Sequence, residues 1–151
     1  MLRDDATFFS SRYEDAVQEP DGYWESWVAE AESSDVKALF CAEEDGQWLG
    51  VVGGFARVGP LEVQLVSMWV SSEARGRGVA RALIRALAEW SRDRGSTSVV
   101  LFVQEANAPA RALYEQAGFR STGDRAPIGG GRRGFKLVLA ASVDELLPGK
   151  R

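Results

Sequence analysis

The stretch from residue 61 to residue 94 constrains the fold of this 151-residue chain more than any other part of it. Its first part, 61–70, is an apolar run typical of a buried strand, and its last part, 78–94, has the apolar spacing of an amphipathic helix. Gly76 and Gly78 lie in the short turn between the two. A strand that leads into a surface helix in this way is typical of proteins with a mixed α/β sheet.

Similar patterns predict the rest of the sheet and its helices. Apolar runs bounded by turn residues predict six strands, at 38–42, 47–58, 61–70, 98–103, 119–122 and 134–139. The first three suit an antiparallel meander. A helix is predicted at 107–117, with Asn107 as its N-cap and Pro109 in its first turn, and two amphipathic helices are predicted between 6 and 33.

The fold class is therefore mixed α/β (α+β), with helices that flank a sheet both parallel and antiparallel in parts. The apolar content suffices for one core. We predict a single domain at 1–140, followed by a C-terminal tail at 141–151.

Composition excludes several classes of function. The net charge of −4 and the pI near 5.0 argue against binding to nucleic acid or to an anionic membrane, because both depend on clustered Lys and Arg. Cys41 is the only cysteine, so no internal disulfide forms, and neither a signal peptide nor an apolar run of about 18 residues is present. We expect a cytoplasmic protein without a metal site.

The turn before the 78–94 helix has the character of an anion site. Gly76 and Gly78 remove Cβ atoms where a backbone approaches a ligand, and the helix start presents unpaired N–H groups and the positive end of its dipole. Arg75, Arg77 and Arg81 add positive charge, which favours a diphosphate. Arg81 stands where a Rossmann fingerprint has its third glycine, and the Gly-Lys-Ser or Gly-Lys-Thr of a P-loop is absent.

Two motifs together resemble the GNAT superfamily of N-acetyltransferases. The first, Arg-x-x-Gly-x-Ala at 75–80, follows Val70 and is similar to the acetyl-CoA pyrophosphate motif of that family. The second, Asn-x-x-Ala-x-x-x-Tyr-x-x-x-Gly-Phe at 107–119, resembles the family's other signature. The resemblance covers roughly 39–139 and implies a sheet splayed open between strands 61–70 and 98–103, with acetyl-CoA in the gap.

The resemblance also implies a set of cofactor-binding residues. Backbone groups of Met68 and Val70 would bind the pantetheine arm, and Asn107 would contact the pantetheine or the diphosphate. The pyrophosphate would be held by the amides of one continuous segment, Arg75, Gly76, Arg77, Gly78, Val79 and Ala80.

The implied reaction is direct attack of a neutral amine on the thioester, in a ternary complex without an acyl-enzyme. The residues agree with this, since the chain has no histidine and its Cys41 lies in an early strand, so no Cys-His pair can form. A backbone N–H near Val70 would meet the oxyanion, and Tyr114 would protonate the leaving thiolate. Glu62 is the candidate general base, with carboxylates of the N-terminal helices as alternatives: Glu14, Asp15, Glu25 and Glu30.

The acceptor is predicted only as a class: a small-molecule amine or an amino-acid-like compound. Tyr23, Trp24 and Trp27 with Trp69 form either an aromatic wall for the acceptor or simply part of the core. A flexible loop predicted at 123–134 carries basic residues that suit an acidic acceptor.

Three alternatives stay open on the sequence alone. The strand that the family places before its first helix is either missing here or lies upstream of the assigned start codon, and a missing strand would leave a sheet edge suited to a homodimer. A degenerate acyl-CoA-binding sensor would keep the turn before the helix without turnover. A protein-interaction module would use the exposed aromatic residues and ignore acetyl-CoA.

Overall fold

The computed structural model describes residues 36–56 and 61–147. Outside these ranges lie the two helices predicted between 6 and 33, the aromatic residues Tyr23, Trp24 and Trp27, and the turn at 59–60. The absence of a first strand is likewise a prediction about that region.

The described residues form one six-stranded mixed sheet with the strand order β1-β2-β3-β4-β6-β5. Its strands are β1 (Lys37–Glu44), β2 (Gln47–Ala56), β3 (Glu62–Val70), β4 (Ser98–Gln104), β5 (Arg120–Gly129) and β6 (Arg132–Ser142). The antiparallel pairs β1-β2 and β2-β3 form the predicted meander, and β3 and β4 are parallel. The mixed fold class predicted from the sequence is confirmed.

Two predicted helices are also confirmed. Helix α1 (Val79–Asp93) begins after Gly78, and Gly95, with φ of 86°, lies just past its end. Helix α2 (Ala108–Ala117) is capped by Asn107 and ends at Gly118.

Helix α1 packs very close to strand β2, because two glycines of β2 face it. A Cβ atom at Gly54 would lie 2.5 Å from Leu87 Cδ1 of the helix. A Cβ atom at Gly50 would lie 2.7 Å from the Trp69 carbonyl oxygen and 3.1 Å from Leu83 Cδ1. Real Cβ atoms do not approach so closely, so larger residues at these positions would push the helix or β3 away from β2.

The sheet opens between its two parallel strands. Strands β3 and β4 pair only at their first residues, Glu62 to Gln64 with Ser98 to Val100. Beyond that point β3 stays paired with β2 as far as Val70, and β4 stays paired with β6 as far as Gln104. Each strand remains bound to its outer neighbour while the inner edges separate, so the sheet is splayed as the resemblance implies.

The C-terminal hairpin differs from the prediction. The flexible loop expected at 123–134 belongs mostly to β5 and β6, which pair as far as Gly129 with Arg132. Strand β5 lies at the sheet edge and is exposed along most of its length, so it lacks the apolar alternation by which strands are recognised. The pairing shifts register between Ser121 and Arg125, where Gly123 has a φ of 89°.

Residues of the segment expected as a C-terminal tail join the core. Strand β6 continues to Ser142, and a short helix, α3 (Val143–Leu146), follows it. Val143, Leu146 and Leu147 are each at most 5% exposed and pack with residues of α1 and β4. Within the described ranges, none of the helices has the length and apolarity needed to cross a membrane.

Candidate functional site

A cavity of about 630 Å³ lies where β3 and β4 separate. Its walls are the last residues of β3, the turn that follows, the start of α1 and one side of α2. Much of the lining is apolar, with Met68, Val79, Leu113 and Tyr114 among it. The charged lining residues are Arg75 and Arg81, and no Asp or Glu of the described residues lines the cavity. The site therefore favours a ligand that has an apolar part and an anionic part.

The start of α1 supplies unpaired backbone donors at this cavity. The N-cap residue is Gly78, which has a φ of 83° and no side chain with which to cap the helix. The first helical hydrogen bond is donated by the Ala82 N–H to the Gly78 carbonyl at 3.0 Å. The N–H groups of Val79, Ala80 and Arg81 come before that bond and have no acceptor within the helix. They are oriented, together with the helix dipole, to bind an anion.

The three arginine side chains near this turn differ in their partners and in whether they line the cavity. Arg75 Nε donates to the Val70 carbonyl at 3.3 Å, and Arg81 Nη2 donates to the Gln116 carbonyl at 3.2 Å. Both side chains line the cavity. Arg77 instead forms an ion pair with Glu44 at 2.9 Å and does not line the cavity. Of the three predicted cationic side chains, only two lie at the site.

A bulge in β3 determines which side chains face the cavity. Ser67 has a φ of 56°, and the pairing with β2 shifts there, so that Val66 lies opposite Gly53 and Trp69 lies opposite Val51. The two-residue alternation of side chains along β3 therefore changes at Ser67. Trp69 shares the face of Glu62 and Val66, whereas Met68 lies on the other face and packs on the core below α1.

The bulge is followed by peptide groups that point into the gap. The Ser71 N–H donates to the Leu49 carbonyl at 2.8 Å, toward β2. Successive N–H groups of an extended strand point to opposite edges, so the Val70 N–H points away from β2, toward the open edge. Val70 thus offers a backbone donor at the cavity, as predicted.

Helix α2 places Asn107 and Tyr114 on the opposite wall. Asn107 is 5% exposed, and its Oδ1 accepts a hydrogen bond from the Ala110 N–H at 3.2 Å. Tyr114 is 7% exposed, and its ring makes an edge-to-face contact with Phe119 at 5.8 Å between centroids. Burial raises the pKa of Tyr114 well above its ordinary value, because the phenolate would lose its hydration. The hydroxyl therefore stays protonated across the neutral range.

One predicted catalytic residue, Glu62, lies away from the cavity. Glu62 pairs with Ser98 at the closed end of the parallel strands and does not line the cavity. Since a strand rises about 3.3 Å per residue, Glu62 lies roughly 20 Å along β3 from Met68. Cys41 lies on β1, also outside the lining.

The structure thus brings together most of the predicted site. Eight of the predicted residues line the cavity along with Tyr114: Met68, Val70, Arg75, Gly76, Gly78, Val79, Ala80 and Asn107. Sequence reasoning missed Pro109, Ala110 and Leu113 as lining residues. The signal was available, because Ala110 and Leu113 share the α2 face of Tyr114 by their three- and four-residue spacing.

Fold and cavity together define a mixed α+β protein with a ligand cavity between two splayed parallel strands, next to an uncapped helix start. The family model described as the acetyltransferase (GNAT) family matches residues 2–119. The chain belongs to this family.

Sequence relatives and solved structures agree with this assignment. The chain is 38% identical over 90 residues to rat N-acetyltransferase 8 and 35% identical over 89 residues to human N-acetyltransferase 8. These matches cover 57% and 56% of this chain but only 40% and 39% of the relatives. The chain thus spans about two fifths of the length of the curated relatives it matches.

Among solved structures, nourseothricin acetyltransferase has a TM-score of 0.66 at 26% identity, over 71% of this chain and 65% of that one. A GNAT-family acetyltransferase from Streptococcus pneumoniae has a TM-score of 0.76 at 19% identity, over 89% of this chain and 83% of that one. An aminoglycoside 6'-N-acetyltransferase complexed with coenzyme A has a TM-score of 0.69 at 16% identity, over 90% of this chain and 86% of that one. The last two likenesses support the fold.

Proposed function

We propose that the protein is an N-acetyltransferase that transfers the acetyl group of acetyl-CoA to a primary amine. The observation that carries the proposal is the cavity between β3 and β4, which runs from an apolar wall to the uncapped start of α1. A ligand with a long, mostly uncharged arm and a diphosphate matches this arrangement. Membership of the acetyltransferase (GNAT) family supports the same assignment.

Acetyl-CoA would lie with its diphosphate at the amides of 75–80 and its pantetheine arm along β3. The Val70 N–H and the Arg75 and Arg81 side chains support this orientation, since the donors are spread along one path. Two solved acetyltransferases of similar fold, the aminoglycoside 6'-N-acetyltransferase and a Thermoplasma acidophilum N-acetyltransferase, hold coenzyme A. Arg77 would contribute its backbone amide alone, because its side chain pairs with Glu44.

The chemistry would be a direct transfer in a ternary complex. The amine nitrogen attacks the thioester carbonyl carbon, and the oxyanion that forms accepts a hydrogen bond from the Val70 N–H. The carbon–sulfur bond then breaks, and the thiolate takes a proton from the Tyr114 hydroxyl. The proton that the amine loses passes to a base or to water, and Tyr114 regains a proton from solvent before the next turnover. The raised pKa of Tyr114 means that the hydroxyl carries its proton at every pH at which the enzyme would work, although it also makes the hydroxyl a weaker acid.

Proton removal from the amine would not fall to Glu62, given its position at the closed end of β3. The carboxylates of the N-terminal helices predicted from the sequence, among them Glu14 and Glu25, remain the candidates for a base. Alkylamines with a pKa near 10 are mostly protonated at neutral pH. We therefore expect kcat/KM for such amines to rise with pH up to the amine pKa.

The decisive experiment compares melting temperatures with and without acetyl-CoA in wild type, Arg75→Ala and Arg92→Ala. A ligand at a hundred times its Kd stabilises a protein by about 2.7 kcal/mol, so the wild-type melting temperature should rise clearly. Arg75→Ala should lose most of this rise. Arg92→Ala should keep it, since Arg92 is exposed in the last turn of α1. No rise in wild type at millimolar acetyl-CoA would overturn the proposal, and a rise without turnover would favour the sensor.

The proton-donor role of Tyr114 has its own test. Tyr114→Phe should lower kcat about a hundredfold, because a general acid is lost while the ring and its contact with Phe119 remain. The Kd for acetyl-CoA should stay within about twofold. Turnover that is unchanged in the variant would remove Tyr114 from the mechanism.

A further inference from the structure

The indole nitrogen of Trp69 stands apart from the other polar side-chain atoms of the protein. Among the buried side-chain polar atoms in residues 36–56 and 61–147, it is the one that has no hydrogen-bond partner. Buried donors are nearly always paired, because an unpaired one loses its hydration without compensation. An unpaired indole N–H next to a ligand cavity therefore calls for a partner that arrives with a ligand.

The position of Trp69 indicates which ligand supplies that partner. Trp69 lines the cavity and is joined directly to Val70, whose N–H points into the gap. The bulge at Ser67 turns the Trp69 side chain to the face of the sheet opposite α1. The anion-binding turn and α1 lie on the other face, so Trp69 is on the side that acetyl-CoA leaves free.

We propose that the Trp69 Nε1–H binds an oxygen of the acceptor, so that the preferred acceptors are amines with a carbonyl or carboxylate oxygen a few bonds from the nitrogen. This inference rests on the proposed function and names its acceptor class. A neutral N–H donor recognises such oxygens and makes no hydrogen bond to the hydrocarbon of a simple alkylamine. Trp69 as a whole is only partly buried, whereas its Nε1 is buried, so the indole must turn to present its N–H when the acceptor binds, as side chains at binding surfaces often do.

The test uses pairs of amines that differ by one carbonyl-containing group: leucinamide with 3-methylbutylamine, and phenylalaninamide with 2-phenylethylamine. The two members of a pair also differ in the pKa of their amines. We therefore compare the ratio of their kcat/KM values in wild type with the same ratio in the variant, because the effect of the pKa difference is the same in both. Trp69→Phe should reduce the preference for the carboxamide about tenfold. The alkylamine kcat/KM should change by less than about threefold.

Trp48→Phe is the matched control, because Trp48 is 57% exposed on β2 and lies outside the cavity lining. It should leave every ratio unchanged. Trp69→Phe should also keep the acetyl-CoA Kd and should change the melting temperature of the unliganded protein only slightly, since the donor it removes had no partner and the residue is only partly buried.

An equal loss for both members of each pair, or no loss for either, would overturn the inference and leave the transferase intact. Acetyl-CoA binding with no panel member consumed would overturn it too, because the predicted acceptor class would be wrong. A wild type that shows no melting shift with acetyl-CoA would instead refute the proposed function itself. The two failures are therefore distinguishable.

Discussion

Helices α1 and α2 both begin at the cavity, but their first turns are built differently. At α2 every early amide is accounted for: the Ala108 N–H donates to the Ala106 carbonyl, Pro109 has no N–H, and the Ala110 N–H donates to Asn107 Oδ1. At α1 the cap is Gly78, without a side chain, and the first turn has no acidic residue. In the first turn of α2 the backbone N–H groups are bonded within the protein, whereas in the first turn of α1 they are available to bind an external anion.

The largest expected effect comes from giving α1 a carboxylate of its own. Ala80→Glu places a negative charge in the first turn, where it stabilises the helix but competes with a diphosphate for the same amides. We expect the acetyl-CoA Kd to rise about thirtyfold or more while the melting temperature of the unliganded protein holds or rises, since repulsion of about 2 kcal/mol corresponds to that factor.

The size control for this change is Ala80→Gln, which has the same length without the charge. It should raise the Kd much less, as measured by titration calorimetry. Equal effects of the two substitutions would mean that the cavity wall excludes any larger side chain, and the anion site would have to be sought elsewhere.

A second effect separates backbone strain from ligand contact. Gly78 and Gly46 have φ values of 83° and 80°, and an added Cβ at either would meet nothing within 4 Å. Alanine at either position should therefore lower the free energy of unfolding by about 1 kcal/mol, through the same left-handed strain. Only Gly78→Ala should also weaken acetyl-CoA binding, by about tenfold, because Gly46 lies in the β1-β2 turn. If the two variants differed in free energy of unfolding but bound acetyl-CoA with the same Kd, the comparison between the two turns would be wrong.

A third effect tests the capped start of α2. Asn107→Ala should lower the free energy of unfolding by about 1 kcal/mol, since the Ala110 N–H loses its acceptor. Asn107→Asp retains an acceptor oxygen and should recover that stability, but it adds negative charge beside the ligand and should still weaken acetyl-CoA binding. Denaturant unfolding and calorimetry measure the two quantities. An aspartate variant as unstable as the alanine variant would argue against the cap.

The smallest effect concerns the apolar wall that α2 provides. Because burial raises the pKa of Tyr114, the native state keeps this proton at pH values where the unfolded chain, with tyrosines near 10, has begun to lose it. The unfolded state then binds fewer protons, so stability is unaffected well below pH 10 and falls as the pH rises above it. Tyr114→Phe should lose less stability than wild type between about pH 9 and pH 11, as followed by denaturant unfolding. Parallel pH profiles would mean that Tyr114 is accessible to hydroxide in the native state.

Much of this site was predictable because its residues are close together in the chain. Gly76 and Gly78 between a strand and a helix, and Asn107 with Pro109 at a helix start, are local signals that depend on backbone conformation and capping. Such signals hold in most tertiary contexts. The start of α1 and the capped start of α2 followed from them, whereas the position of Tyr114 at the site was implied by the resemblance to the GNAT family.

The structure differs from the expectations where distant parts of the chain meet. Regular two-residue alternation would place Trp69 on the face opposite to Val66, but the bulge at Ser67 shifts the pairing with β2 and places Trp69 on the face of Val66. The Arg77 side chain lies outside the cavity because it pairs with Glu44 of another strand. Glu62 was assigned to the reaction because it lies on the right strand, but the splay puts the cavity at the other end of that strand.

The sequence by itself determined most of the described elements, their order and the anion-binding character of the α1 start, since these depend on periodicity, glycine conformations and caps within a few residues. Only the tertiary structure decided where β3 and β4 part, which face Trp69 occupies and which arginines reach the cavity. Those outcomes depend on strand register and on ion pairs between residues far apart in the chain. A one-residue change in register turns a side chain to the opposite face of a sheet, and a local pattern does not record where such a shift occurs.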